Sequence, residues 1–113
     1  MKTDRPFLQH IDEEIAFLLK ATRGLSFDRL MKDEVLKRAC ARSLEIIGEA
    51  AKNLSPEFKR KHKSVEWKKV AGLRDKLIHY YFGVNWDIVW DVIQSRLPEL
   101  KEIIHRALTN NVR

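Results

Sequence analysis

Arg74, Asp75, His79 and Tyr81 fall within eight residues of one another, inside the stretch 71–83, Ala-Gly-Leu-Arg-Asp-Lys-Leu-Ile-His-Tyr-Tyr-Phe-Gly. An always-charged guanidinium can hold a phosphate, and an imidazole can move a proton near neutral pH. A phenol beside them can act as nucleophile or hydrogen-bond donor. No other stretch gathers so many groups that do chemistry. On a helix, which turns about 100° per residue, Arg74 and His79 stand about 140° apart, so a straight helix does not aim them at one point. Asp75 and His79 share a face, and so do Arg74 and Tyr81 if the helix lasts that long. Arg74 and His79 unite if the helix loosens near its end, or if a two-fold mate sets two Arg/His pairs across one cleft.

Charge is concentrated just ahead of this cluster. Residues 1–51 and 77–113 are each neutral, while residues 52–76 carry nine Lys/Arg against Glu57, Glu66 and Asp75, which is the whole +6 excess. For Lys59 to Lys63 alone a solvated helix face is the simpler reading. Lys68, Lys69 and Lys76 flank Arg74, and beside it they favour a phosphate-bearing partner.

Elements that would position these groups follow from periodicity. A first helix starts near Asp4 or Arg5, with Asp4 as cap and Pro6 in the first turn, and ends at Gly24. Ser26 to Met31 is a connection or a short helical turn. A long second helix runs from about Asp33, its cap, to Leu54, with Gly48 allowing another helix to approach closely. Glu45 and Glu49 lie one turn apart on its flank and are expected to be solvated, ahead of a role in orienting Arg74. Ser55 caps a short helix with Pro56 at its first position. Ser64 is expected to cap the helix that carries Arg74 and His79 and ends near Gly83. Asn85 caps the last helical region, and Pro98 should kink or restart it. Residues Ile88, Val89, Trp90, Val92 and Ile93 are apolar over more than one face, which suggests contact with a second chain. The tryptophans are expected to be packing anchors.

These elements predict an all-α fold, an antiparallel four-helix up-and-down bundle with a short extra helix, as a single domain over residues 1–113. One cysteine, Cys40, excludes an internal disulfide and is expected in the core. No signal peptide or membrane-length apolar run is present, so a cytoplasmic protein is expected. His10, His62, His79 and His105 show no metal-ligand spacing, and there is no glycine-rich phosphate loop or G-x-S-x-G elbow.

The run Arg74-Asp75-x-x-x-His79-x-Tyr81 resembles the R-x4-6-H motif of HEPN domains, and more closely the R-N-x-x-x-H-x-Y form of HepT-like toxins. Leu44-Glu45-Ile46-Ile47-Gly48-Glu49-Ala50-Ala51 resembles that family's second-helix signature. Trp67, Gly72-Leu73, Trp90 and Leu97-Pro98-Glu99-Leu100 also fit, so the resemblance covers nearly the whole chain. It implies a homodimer with the motif at its cleft, and a metal-independent endoribonuclease toxin that uses no cofactor. It also implies an MntA-like nucleotidyltransferase antitoxin that adds AMP to the motif tyrosine. Carried over, Arg74 and His79 are the catalytic pair, Asp75 the supporting polar residue and Tyr81 the modified tyrosine. Asp75 departs from the usual Asn; an acid there would hold His79 protonated more of the time and repel phosphate slightly. RNA supplies its own nucleophile, the 2′-hydroxyl, so histidine and arginine suffice for its cleavage. The alternative is a non-catalytic nucleotide- or RNA-binding partner subunit of a nucleotidyltransferase. A DNA-binding helix-turn-helix is disfavoured, because the basic run lacks a recognition face rich in Asn, Gln and Ser.

Overall fold

Short side chains that accept from the backbone set several of the helix starts. A computed structural model describes residues 3–79 and 84–110, and of residues 76–79 the backbone alone. Asp33 Oδ1 accepts from Leu36 N at 2.9 Å and opens α3, Glu34–Lys52. Ser26 does the same for α2, Phe27–Met31, and Ser55 for α4, Pro56–Lys61. Asn85 Oδ1 accepts from Asp87 N and Ile88 N at the start of α6, Trp86–Asp91. Each bond satisfies donors that a helix start leaves unpaired.

Two starts differ from expectation. Asp4 precedes α1, Arg5–Ala21, but makes no side-chain cap bond to it. Its carboxylate instead accepts from Ser55 N and Ser55 Oγ, both at 2.7 Å. The link ties the first turn of α1 to the first turn of α4. Ser64 does not cap α5, Trp67–His79. The carbonyl of Glu66 receives Lys69 N and Val70 N, so the helix begins two residues later than a Ser64 cap requires. The indole of Trp67 fixes that start by donating to His62 O at 3.0 Å.

Pro98 restarts the last helix as its chemistry requires. It lacks an N–H, and its ring crowds the carbonyl four residues back. One wider π-helical segment, Val92–Arg96, takes up the mismatch, and Leu97 N bonds Val92 O across it. Helix α7, Leu97–Thr109, follows with Pro98 in its first turn.

The four long helices run antiparallel to their neighbours, in the order α5, α3, α1, α7. Arg5 Nη1 reaches Leu108 O, and Asp12 meets Lys101 at 3.4 Å, so α1 and α7 point opposite ways. The Asp4–Ser55 bonds do the same for α1 and α3. Leu8, Ile11, Ile15 and Leu18 of α1 are fully buried at helical spacing, between Leu44 and Ile47 of α3 and Ile93 and Ile104. The fold is the all-α bundle the periodicity predicts. Val89 and Ile93 are buried and Trp90 packs edge-on to Phe27, leaving Ile88 broadly exposed on that segment. Among the described residues, no helix is long and apolar enough to cross a membrane.

Candidate active site

Helix α5 is pinned at its start by packing. Trp67 is buried, and its ring meets Phe58 edge-on with centroids 5.8 Å apart. Three and seven residues on, Val70 and Arg74 lie on the same face of α5 as Trp67. They cross α3 over Gly48. A Cβ built at Gly48 would stand 2.8 Å from Arg74 N, 3.1 Å from Arg74 Cβ and 3.1 Å from Val70 O. Glycine costs helix stability but here admits the backbone of α5. The crossing point is the residue that carries the guanidinium.

Arg74 therefore emerges at the edge of the α3–α5 contact, where its side chain is 38% exposed. Its Nε pairs with Glu49 Oε2 at 2.8 Å, and its Nη1 donates to Asp75 Oδ1 at 3.0 Å. Among the described residues Nη2 has no partner, so part of the guanidinium still faces solvent. Ion pairs this exposed contribute about 0–1 kcal/mol. Their main effect is to fix where the arginine points. Glu49 thus corrects the expectation of a solvated carboxylate. The companion Glu45 pairs with Arg42 of its own helix at 3.2 Å. The bond from Asp75 to Arg74 is likewise absent from a spacing argument that pairs Asp75 with His79.

Beside Arg74 lies a groove of about 320 Å³, floored by α3 and walled by α1 and α5. Arg42, Glu45, Ile46, Glu49, Ala50 and Asn53 of α3 line it, with Phe7 and His10 of α1 and Arg74 of α5. Asn53 Nδ2 donates to Glu49 O at 2.9 Å, which leaves its Oδ1 as an acceptor. Sequence reasoning gave no role in the site to His10 or Asn53. The signal for Glu49 was the glycine beside it, which marked where another helix would cross.

The backbone of α5 is helical through His79, so the 140° step between positions 74 and 79 stands. Tyr81, and the side chains of His79 and Lys76, lie outside the described residues. Lys68 and Lys69 are exposed, about 120° and 140° around α5 from Arg74, and Lys69 pairs with Glu66 at 2.9 Å. That bond lowers the Glu66 pKa. Cys40 is buried, as expected; burial first, and then Asp33, push its thiol up to about 11. Among the described residues no cluster of three or more His, Cys, Asp or Glu is placed to hold a metal ion.

Residues 11–107 match the family model described as "Ribonuclease HepT-like". The chain is 55% identical over 108 residues to "Putative RNase TTE0752" of Caldanaerobacter subterraneus subsp. tengcongensis, covering 96% of each. It is 46% identical over 103 residues to "Putative RNase MJ0127" of Methanocaldococcus jannaschii, covering 90% of this chain and 85% of that one. To "Probable ribonuclease HepT" of Thermococcus cleftensis it is 39% identical over 100 residues, covering 88% and 91%. No solved structure matches it.

Proposed function

The chain belongs to the HepT-like ribonuclease family, and on that premise we propose that it is a metal-independent endoribonuclease toxin. The observation that carries the proposal is Arg74, held at Glu49 where two helices cross, with part of its guanidinium left for a phosphate. Five residues further along the same helix, His79 provides the proton transfer. The imidazole takes the proton of a 2′-hydroxyl, and O2′ attacks the adjacent phosphorus. Arg74 stabilises the charge that builds on the phosphorane oxygens. The P–O5′ bond breaks, and O5′ leaves with a proton delivered by an imidazolium. The products are a 2′,3′-cyclic phosphate and a 5′-hydroxyl. The 140° offset favours a homodimer, in which the histidine of one protomer and the arginine of its partner face the same cleft.

The surplus charge of residues 52–76, with Lys68, Lys69 and Lys76, holds the RNA backbone. An MntA-like nucleotidyltransferase partner adds AMP to Tyr81. Each AMP adds one negative charge and a bulky base, and the anion competes with RNA phosphate for Arg74 while the fold stays intact. The two carboxylates on Arg74 favour a second reading, a non-catalytic nucleotide- or RNA-binding subunit, because they offset part of its charge.

The test is cleavage of RNA by the purified chain. His79→Ala and Arg74→Ala should each abolish it with circular dichroism unchanged, and excess EDTA should have no effect. Cleavage that survives in His79→Ala, or stops with EDTA, refutes the mechanism. In co-expression with the nucleotidyltransferase, mass spectrometry should map AMP to Tyr81, and AMP on Tyr80 would overturn that assignment.

A further inference from the structure

We propose that the groove beside Arg74 holds the base of the nucleotide whose phosphate Arg74 binds, and that it selects bases bearing an exocyclic amino group. The inference deepens the ribonuclease reading and rests on it for the phosphate at Arg74. At about 320 Å³ the groove is at the small end of ligand sites and suits one nucleotide. Phe7 and Ile46 give it apolar walls, and an aromatic face is the usual platform for an unstacked RNA base. Three of its six polar side chains, Glu45, Glu49 and Asn53, are acceptors with capacity left over, beside Arg42, Arg74 and His10. Glu45 commits Oε2 to Arg42 and Glu49 commits Oε2 to Arg74, which leaves Oε1 of each without a bond among the described residues. Asn53 spends its amide donor on a backbone carbonyl and offers Oδ1.

Both arginines of the groove already face carboxylates, so the groove itself carries no surplus positive charge. A second phosphate finds no unopposed cation in it. A ring that donates from its edge finds acceptors. Cytosine, adenine and guanine carry an amino group, whereas uracil offers two carbonyls and one N–H. Uracil brings only its one N–H to the carboxylates.

The experiment uses 2′-O-methyl hexamers of C and of U, which carry no 2′-hydroxyl and so bind without being cut. Affinity is read by fluorescence anisotropy at one fixed salt concentration. The wild-type chain should bind the C hexamer about tenfold more tightly than the U hexamer, the effect of a donor placed on a charged acceptor. Glu45→Ala brings the ratio toward one, and Phe7→Ala weakens both hexamers. If Phe7→Ala fails to fold, Phe7→Leu keeps the apolar bulk, removes the ring face and weakens both hexamers in its place. Equal affinity for the two hexamers, or a ratio unmoved by Glu45→Ala, overturns the proposal. A second copy occupying the groove would show as a Phe7 variant that becomes monomeric with hexamer affinity intact, and that also overturns it. Absence of cleavage on unmodified RNA, with the C preference retained, sinks the ribonuclease reading and leaves the base subsite standing. Normal cleavage without the preference does the reverse.

Discussion

Replacing Gly48 by alanine tests the geometry on which the site depends. The new methyl would lie 2.8 Å from Arg74 N, 3.1 Å from Arg74 Cβ and 3.1 Å from Val70 O. Ordinary carbon contacts lie near 3.5–4.0 Å, and two of these three neighbours are backbone atoms that no rotamer change can move. Helix α5 must therefore retreat by roughly 0.5–1 Å, judged against those contact distances. Overpacking of this kind costs about 1–3 kcal/mol, against the roughly 1 kcal/mol that alanine gains over glycine inside a helix. The steric cost wins on balance. At about 4 °C per kcal/mol for a chain of this size, thermal unfolding should show a Tm lowered by several degrees. The retreat also carries Arg74 away from Glu49, and a misplacement near 1 Å can cost about a hundredfold in rate. RNA cleavage should fall by about ten- to a hundredfold while far-UV circular dichroism stays helical. Gly72 is the internal control, because a Cβ there meets nothing within 4 Å. Gly72→Ala should raise stability by about 0.5–1 kcal/mol and leave cleavage unchanged. If Gly48→Ala is instead stabilised like Gly72→Ala and cuts RNA normally, the close crossing of α3 and α5 is refuted.

Two more outcomes follow from named groups. Cys40 has its thiol pKa raised from 9.0 to about 11, so folding favours the protonated form. Its contribution to stability is complete below pH 9 and is lost as pH rises toward 11. Denaturant titrations should show an alkaline decline that Cys40→Ala flattens, and native protein at pH 8 should resist maleimide until unfolded. Asp75→Asn removes one of the two anions on Arg74. It should raise cleavage a few-fold, chiefly through a lower KM, and an unchanged or lower kcat/KM would show that Asp75 does not restrain the arginine.

What was legible in the sequence was chemistry completed within a few residues. Asp33, Ser55 and Asn85 announce helix starts because their side chains bond amides two or three positions ahead. Pro98 announces a break because its ring and missing N–H act on its own helix. The stripe Leu8, Ile11, Ile15, Leu18 announces a buried face by period alone. The same local logic misassigned Asp4, whose partner lies 51 residues away, and Ser64, displaced as a cap by the Trp67 indole bond to His62. It left Glu49 solvated, because the cation that claims it sits on another helix. Arg74 and His79 stood out by type, but nothing local placed Phe7, His10 and Asn53 around one groove. That depends on which flank of α3 receives α1, a choice made by the whole core.

Helix α1 sits between a neighbour it meets early and one it meets late. Its bonds to α7 join residues 103 and 89 positions apart. The pairing of α3 with α5 needs only the short loop around α4. Closing short loops precedes closing long ones, so the α1–α3 and α3–α5 pairs assemble before the α1–α7 seam. During synthesis α1 leaves the ribosome long before α7 exists. Over that interval the apolar stripe of α1 is only partly covered. A released chain truncated before Leu97 would still hold the arginine against its glutamate, yet would carry an open seam that attracts chaperones or other truncated chains.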